Sequence, residues 1–233
     1  MLSLNLDRVG IKLSSTIVGL CLGLIINPNS SIAQVVSDNT TDTQISVTEN
    51  ISTITGGTKT GQNLFHSFEQ FSVNNGAIAH FNHGLNIERI FSRVTGGSIS
   101  QIDGLIRANG NADLFLLNPA GIIFGANGSL DIGGSFVATT AESLVFEDGI
   151  EFSATTEKDR PLLTINAPIG LQYGVNTGEI AILPNSDRSS PSGLNIKPGN
   201  VLALVGGDID ITRNDLNAFI ALPERLTETR VSA

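Results

Sequence analysis

The chain has 233 residues, a formal charge of −9, 25 glycines, one cysteine and no tryptophan. That length supports one sizeable core. The acidic balance, with no Lys/Arg cluster, excludes binding along a nucleic-acid backbone and fits a solubility role for the charge. Abundant Gly, Asn, Ser and Thr between Val, Ile, Leu and Phe favours many short strands with tight turns over a helical bundle.

Residues 1–33 read as a secretory signal peptide. Arg8 and Lys12 form a basic start, residues 17–26 an apolar core, and Ser31-Ile32-Ala33 places small residues where a signal peptidase reads, so cleavage is expected between Ala33 and Gln34. The apolar run is about half of the ~20 residues a spanning helix needs. Leu20 stands where lipid attachment at Cys21 would want a small residue. No stable membrane span is therefore expected after cleavage. Cys21 goes with the leader, so the mature chain is expected to carry neither a disulfide nor a thiolate metal site. Its charge becomes one unit more negative as Asp7, Arg8 and Lys12 leave.

Residues 34–50 are polar, with a first alternating fragment at Ile45-Ser46-Val47. Ile54-Thr55-Gly56-Gly57-Thr58 follows. Next comes Asn63-Leu64-Phe65-His66-Ser67-Phe68-Glu69-Gln70-Phe71, read as a strand with Leu64, His66 and Phe68 on one face. Phe65, Phe68 and Phe71 are expected in the core. Ala77-Ile78-Ala79-His80-Phe81 is another strand, ahead of Asn82-His83-Gly84-Leu85. Val94-Thr95-Gly96-Gly97-Ser98 echoes the earlier Ile54-Thr55-Gly56-Gly57-Thr58, and Asp113-Leu114-Phe115 echoes Asn63-Leu64-Phe65. These echoes are compatible with rungs of about 20 residues or a multiple of that. Ile99, Ile102, Leu105 and Ile106 flank a turn at Asp103-Gly104.

Residues 111–140 set the pattern for the rest. Leu114-Phe115-Leu116-Leu117, Ile122-Ile123-Phe124, Leu130-Asp131-Ile132 and Phe136-Val137-Ala138 are separated by Asn118-Pro119-Ala120-Gly121, Ala126-Asn127-Gly128 and Gly133-Gly134. No run reaches helical length before a breaker, and the breakers supply the fixed or positive φ of sharp turns. Leu144-Val145-Phe146 is a strand turned by Glu147-Asp148-Gly149, with Phe152-Ser153-Ala154-Thr155 beyond. Residues 156–160 read as an exposed loop before Pro161, Leu162-Leu163-Thr164-Ile165 as a strand, residues 178–183 as another, and residues 185–193 as a polar loop. Leu194-Asn195-Ile196, Val201-Leu202-Ala203-Leu204-Val205 and Ile209-Asp210-Ile211 return to the rung pattern. In a parallel β-helix such rungs stack like on like. Asn suits the corners because it tolerates αL and bonds turn backbone, while Pro119 fixes φ and lacks a donor. An antiparallel β-sandwich is the alternative fold for the same short strands.

No enzyme constellation and no cofactor site emerges. His66, His80 and His83 have no cysteine or nearby carboxylate pair to complete a metal site, and a surface or turn role is expected for them. A polysaccharide lyase would need acidic calcium ligands with Lys or Arg on one face, whereas Asp103, Asp113 and Asp131 are scattered at turns and strand edges.

Asn118-Pro119-Ala120-Gly121-Ile122 resembles the Asn-Pro-Asn-Gly-Ile signature of the N-terminal secretion domain of filamentous haemagglutinin-like exoproteins, the two-partner secretion (TPS) family, with Ala120 in place of Asn. Asn63-Leu64-Phe65-His66-Ser67-Phe68, Ser92-Arg93-Val94-Thr95-Gly96, Gly134-Ser135-Phe136-Val137-Ala138 and Leu202-Ala203-Leu204-Val205-Gly206-Gly207 extend the likeness, which points to the cyanobacterial branch. The second Asn-Pro turn of the family has His83 at its proline position here. The resemblance implies an all-β, right-handed parallel β-helix with N-terminal capping strands over residues 34–211, after the leader and before a divergent tail at 212–233. It also implies recognition through Asn118, Pro119, Ala120, Gly121 and Ile122. The partner would be an outer-membrane, Omp85-like β-barrel transporter with periplasmic domains, and the chain would be exported through the periplasm to the cell surface. A stand-alone adhesin binding glycans or cells, or the remnant of a large haemagglutinin-like adhesin, is the alternative.

Overall fold

The computed structural model describes residues 34–155, 163–175, 177–184 and 194–211. The expected leader, the loops at 156–160 and 185–193, and the tail at 212–233 lie outside the described residues. Those described form strands, turns and bends, without a helix.

The N-terminal end is a cap. Strand β1 (Val35–Ser37) and strand β2 (Thr43–Thr48) lead into β3 (Ile51–Gly56), β4 (Thr58–Thr60) and β5 (Asn63–Phe71). β2 runs antiparallel to β3, while β1 and β4 run antiparallel to the two halves of β5. These pairings consume the edge groups that an end rung of a parallel stack would leave bare.

Beyond the cap the chain coils. One rung holds β6 (Ile78–Phe81), β7 (Arg89–Val94) and β8 (Ser100–Ile102); the next holds β9 (Leu105–Ala108), β10 (Asp113–Leu117) and β11 (Ile122–Phe124). β12 (Ser129–Asp131) and β13 (Phe136–Thr139) continue it. After an excursion through β14 (Ser143–Phe146), β15 (Glu151–Ser153) and β16 (Pro168–Gln172), the coil resumes with β17 (Glu179–Ile182), β18 (Leu202–Val205) and β19 (Asp208–Ile211). Three sheets result: β1-β5-β7-β10-β13-β18 with β4, β12-β9-β6-β3-β2, and β19-β17-β11-β8. Every pairing between rungs is parallel. The protein is thus a parallel β-helix, and the antiparallel sandwich is set aside.

Register explains the sequence echoes. Leu64, Ile90, Leu114, Phe136 and Leu202 stand in one column, and an uninterrupted rung is 22 to 29 residues long across the three sheets. The Asn63/Asp113 echo is therefore a true two-rung repeat. The Ile54/Val94 echo is not, because β3 and β7 belong to different sheets; both stretches merely place glycines after a strand. Leu64, Ile90, Leu114 and Phe136 of this column form the axial core with Phe68, Phe81, Phe124 and Ile180, while Leu202 in the last rung is exposed. Each such phenylalanine, removed from water, contributes about 1.5–3 kcal/mol.

Two strand expectations fail. Leu163, Thr164 and Ile165 form no strand: main-chain oxygens of Thr164 and Asn166 are taken by the Asn63 amide rather than by a ladder. Leu194-Asn195-Ile196 also forms no strand, although Leu194 and Ile196 still pack on the axial core. The residues 140–175 region further departs from a rung: β14 pairs antiparallel with both β15 and β16 in a separate sheet. This side sheet covers the outer face of β5, β7 and β10. There Phe65, Phe91 and Phe115 stack with centroids 5.0 and 4.9 Å apart, and Phe152 and Phe146 close over them edge-on at 5.1 and 5.3 Å.

Candidate functional site

The motif occupies the corner between β10 and β11. Gly121 N–H donates to Asn118 C=O at 3.1 Å, closing a turn that Pro119 prepares with its fixed φ. The Asn118 side chain is wholly buried, 0% exposed. Its Nδ2 donates to Ser98 C=O and Ser100 Oγ, both at 2.9 Å, and its Oδ1 accepts from Ala120 N–H at 3.0 Å. A carboxylate here would set oxygen against the Ser98 carbonyl, so the amide is required.

Main-chain groups of the motif are tied to both neighbouring rungs. Gly121 C=O accepts from Ser100 N–H at 3.0 Å, Asn118 N–H donates to Thr139 C=O at 2.9 Å, and Pro119 C=O accepts from Gly178 N–H at 2.9 Å. Gly178 lies so close that a Cβ there would sit 2.4 Å from the Ala120 carbonyl carbon. Gly121 holds φ at +125°, a region only glycine adopts without strain. Ile122 points into the axial core, and only Pro119 and Ala120 keep partial exposure. The supporting Ser98, Ser100, Thr139 and Gly178 carry no sequence signal as a group, since rung stacking alone brings them together.

A second polar cluster, unnoticed in the sequence, ties the cap to the side sheet. Arg93 is 3% exposed on the outer face of β7. Its Nε donates to Ser67 Oγ at 2.7 Å, one terminal nitrogen to Thr40 Oγ1 at 3.0 Å and the other to the Ser153 carbonyl, with the Phe152 ring 4.8 Å from the guanidinium carbon. Asp38 accepts from Ser67 Oγ at 2.5 Å, from Thr40 Oγ1 and Thr95 Oγ1 at 2.8 Å, and from Thr40 N–H at 2.9 Å. Burial opposes the Asp38 charge, but these hydrogen bonds outweigh it and hold the carboxyl below its ordinary range. Burial lowers the Arg93 pKa, and Asp38 opposes that shift.

The expected surface role of the histidines fails for His66. The ring is 1% exposed, inside the axial core beneath the cap, with Nδ1 2.9 Å from Thr43 Oγ1 and stacked on Phe68. Burial, with a smaller contribution from His83, pushes its pKa down to about 3. His80 lies within β6, bonded to the Asn109 side chain, and His83 sits at the corner after it, bonded to the Gly84 carbonyl. The three aspartates are rung ties: Asp103 accepts from Asn127, Asp113 from Ser135 N–H, and Asp131 pairs with Arg107 at 2.8 Å. Among the described residues no three His, Cys, Asp or Glu converge as a metal site, and no helix is long and apolar enough to cross a membrane.

A model of the TPS secretion domain family matches residues 33–232, running past Ile211. A heme/hemopexin-binding protein of Haemophilus influenzae is 31% identical over 108 residues, 46% of this chain and 11% of that protein. The crystal structure of a filamentous hemagglutinin secretion domain aligns with a TM-score of 0.47 and 22% identity, over 76% of this chain and 54% of that one. The chain spans about a tenth of the length of the curated relative it matches.

Proposed function

Since the chain belongs to the TPS secretion domain family, a family of two-partner-secretion exoprotein domains exported to the cell surface or beyond, we propose that an outer-membrane, Omp85-like transporter reads residues 118–122 while the chain is still extended. Folding then withdraws them. The observation that carries this reading is the consumption of the motif in the fold: the Asn118 amide, the N–H and C=O of Asn118 and Gly121, the Pro119 C=O and the Ala120 N–H have internal partners. A partner reading those groups must meet them before the corner closes. Closure then releases the chain outside, stacked rung on rung. The leader at residues 1–33 would bring the chain to the periplasm first.

The test separates reading from folding. The periplasmic domains of the cognate transporter are titrated with the full chain, folded or held unfolded in mild denaturant. Binding is expected for the unfolded chain alone, and Asn118→Ala weakens it. Ser100→Ala removes one folded-state partner of Asn118 without touching the motif, so it leaves that binding intact. Equal binding of folded chain and of Asn118→Ala would refute the reading.

A further inference from the structure

The sequence contains three Asn-Gly pairs, Asn75-Gly76, Asn109-Gly110 and Asn127-Gly128. In an unfolded chain they are chemically alike, because glycine leaves its own nitrogen unobstructed beside the asparagine amide. The fold makes them different. At Asn109 the side-chain nitrogen donates to Asn82 Oδ1 at 2.8 Å and to His83 C=O at 3.1 Å, and the oxygen lies 2.9 Å from His80 Nε2. At Asn127 the side-chain nitrogen lies 3.2 and 3.3 Å from the two Asp103 oxygens. There Gly128 is buried and its N–H is given to Gly125 C=O at 3.0 Å.

Asn75-Gly76 has none of these restraints. Both residues are exposed at the corner between β5 and β6, and beyond Gly76 and its two chain neighbours nothing lies within 4 Å of where a Gly76 Cβ would be. The turn is closed by Ala77 N–H to Asn74 C=O at 2.9 Å, with Gly76 at φ +75° and its carbonyl taken by the Asn50 amide. Neither the Asn75 amide nor the Gly76 N–H has a hydrogen-bond partner among the described residues.

We propose that Asn75 is a modification site of the folded protein, deamidated through a succinimide. The Gly76 main-chain nitrogen attacks Asn75 Cγ. The N–Cγ bond forms, the Cγ–Nδ2 bond breaks, and Nδ2 leaves as ammonia with the proton that Gly76 N–H gives up. Water then opens the ring. Addition at Cγ yields aspartate, and addition at the main-chain carbonyl yields isoaspartate, with no change of oxidation state. Each event adds one negative charge to an already acidic chain, and the isoaspartate form also lengthens the main chain just ahead of β6. An exported chain meets the only reagent required, water.

The folded full chain is incubated at mildly alkaline pH in heavy-oxygen water, and peptides spanning each pair are followed by mass spectrometry. Asn75 is expected to take up heavy oxygen roughly tenfold faster than Asn109 or Asn127, the factor that about 1.4 kcal/mol of local protection imposes. In denaturant the three rates converge. Folded-state rates at Asn109 or Asn127 equal to that at Asn75, or no conversion at Asn75, would overturn the proposal.

Discussion

The coil and its side sheet are held together by different means. In the coil the strands pair in parallel from rung to rung, and inward columns such as Leu64, Ile90, Leu114 and Phe136 repeat one kind of contact. The side sheet is a local antiparallel unit whose attachments differ from one another. It rests on the Phe65/Phe91/Phe115 stack, on Asn63 bonding Thr164 and Asn166, on Arg93 bonding Ser153, and on Tyr173 Oη donating to Val205 C=O at 2.9 Å. Removing the side sheet would leave every rung pairing in place, whereas removing a rung would split the coil. Repetition makes the coil robust, and the side sheet depends on a few unlike contacts, so it should open first.

The strongest way to break that comparison is Arg93→Ala. It leaves Ser67 Oγ, Thr40 Oγ1 and the Ser153 carbonyl without their common donor, and Asp38 without a nearby positive charge. A loss of about 2–4 kcal/mol in urea unfolding is expected from the lost charge-assisted hydrogen bonds. Hydrogen exchange should show β14, β15 and the residues 38–41 loop losing protection while β7, β10 and β13 retain theirs. Uniform loss across all strands would mean that the side sheet and coil are one cooperative unit.

Acid sharpens the contrast at the cap. The folded His66 pKa of about 3 lies below the unfolded value near ~6.5, so the unfolded chain takes up a proton first as pH falls through that window. Stability from the neutral ring is complete above the unfolded pKa and declines by up to about 1.4 kcal/mol per pH unit toward the folded one. Asp38, with its pKa lowered, adds a later loss as pH falls from about 3.9 through its folded value. Acid titration of His66→Phe should lack the first phase, while Thr41 Oγ1 still bonds Thr43 Oγ1. An unchanged titration would place the acid-labile contact elsewhere.

The smallest effect is expected from Ala120→Asn, which restores the family residue at a half-exposed corner position. Its main-chain bond to Asn118 Oδ1 does not depend on the side chain, so the unfolding midpoint should correspond to a change within about 0.5 kcal/mol. A larger loss would show that Gly178 leaves the corner no room.

Much of the coil was legible in the sequence. Short apolar runs broken by Asn-Pro, Asn-Gly and Gly-Gly signalled strands and corners, and the Asn63/Asp113 echo carried the repeat. The side sheet was not legible, because its strands also read as short apolar runs and pairing direction leaves no local mark. One clue was present. Leu64-Phe65, Ile90-Phe91 and Leu114-Phe115 put two large apolar residues side by side, which a strand with one wet face does not need. His66 was misplaced although alternation put it on the same face as Leu64 and Phe68: that face is the axial core, where Phe68 and Phe81 pack against the ring and Thr43 of the cap bonds it.

By itself the sequence determined the elements and the turn chemistry, since both depend on residues within a few positions of each other: where strands stop, where a corner needs glycine, and why Asn118 precedes Pro119. Tertiary structure alone decided which groups became unavailable. The withdrawal of the Asn118 amide, the burial of Arg93 and His66, and the difference among three identical Asn-Gly pairs all arise from atoms brought together by stacking from distant parts of the chain. Hydrogen bonding and desolvation act at a few ångströms in space, whatever the separation in sequence.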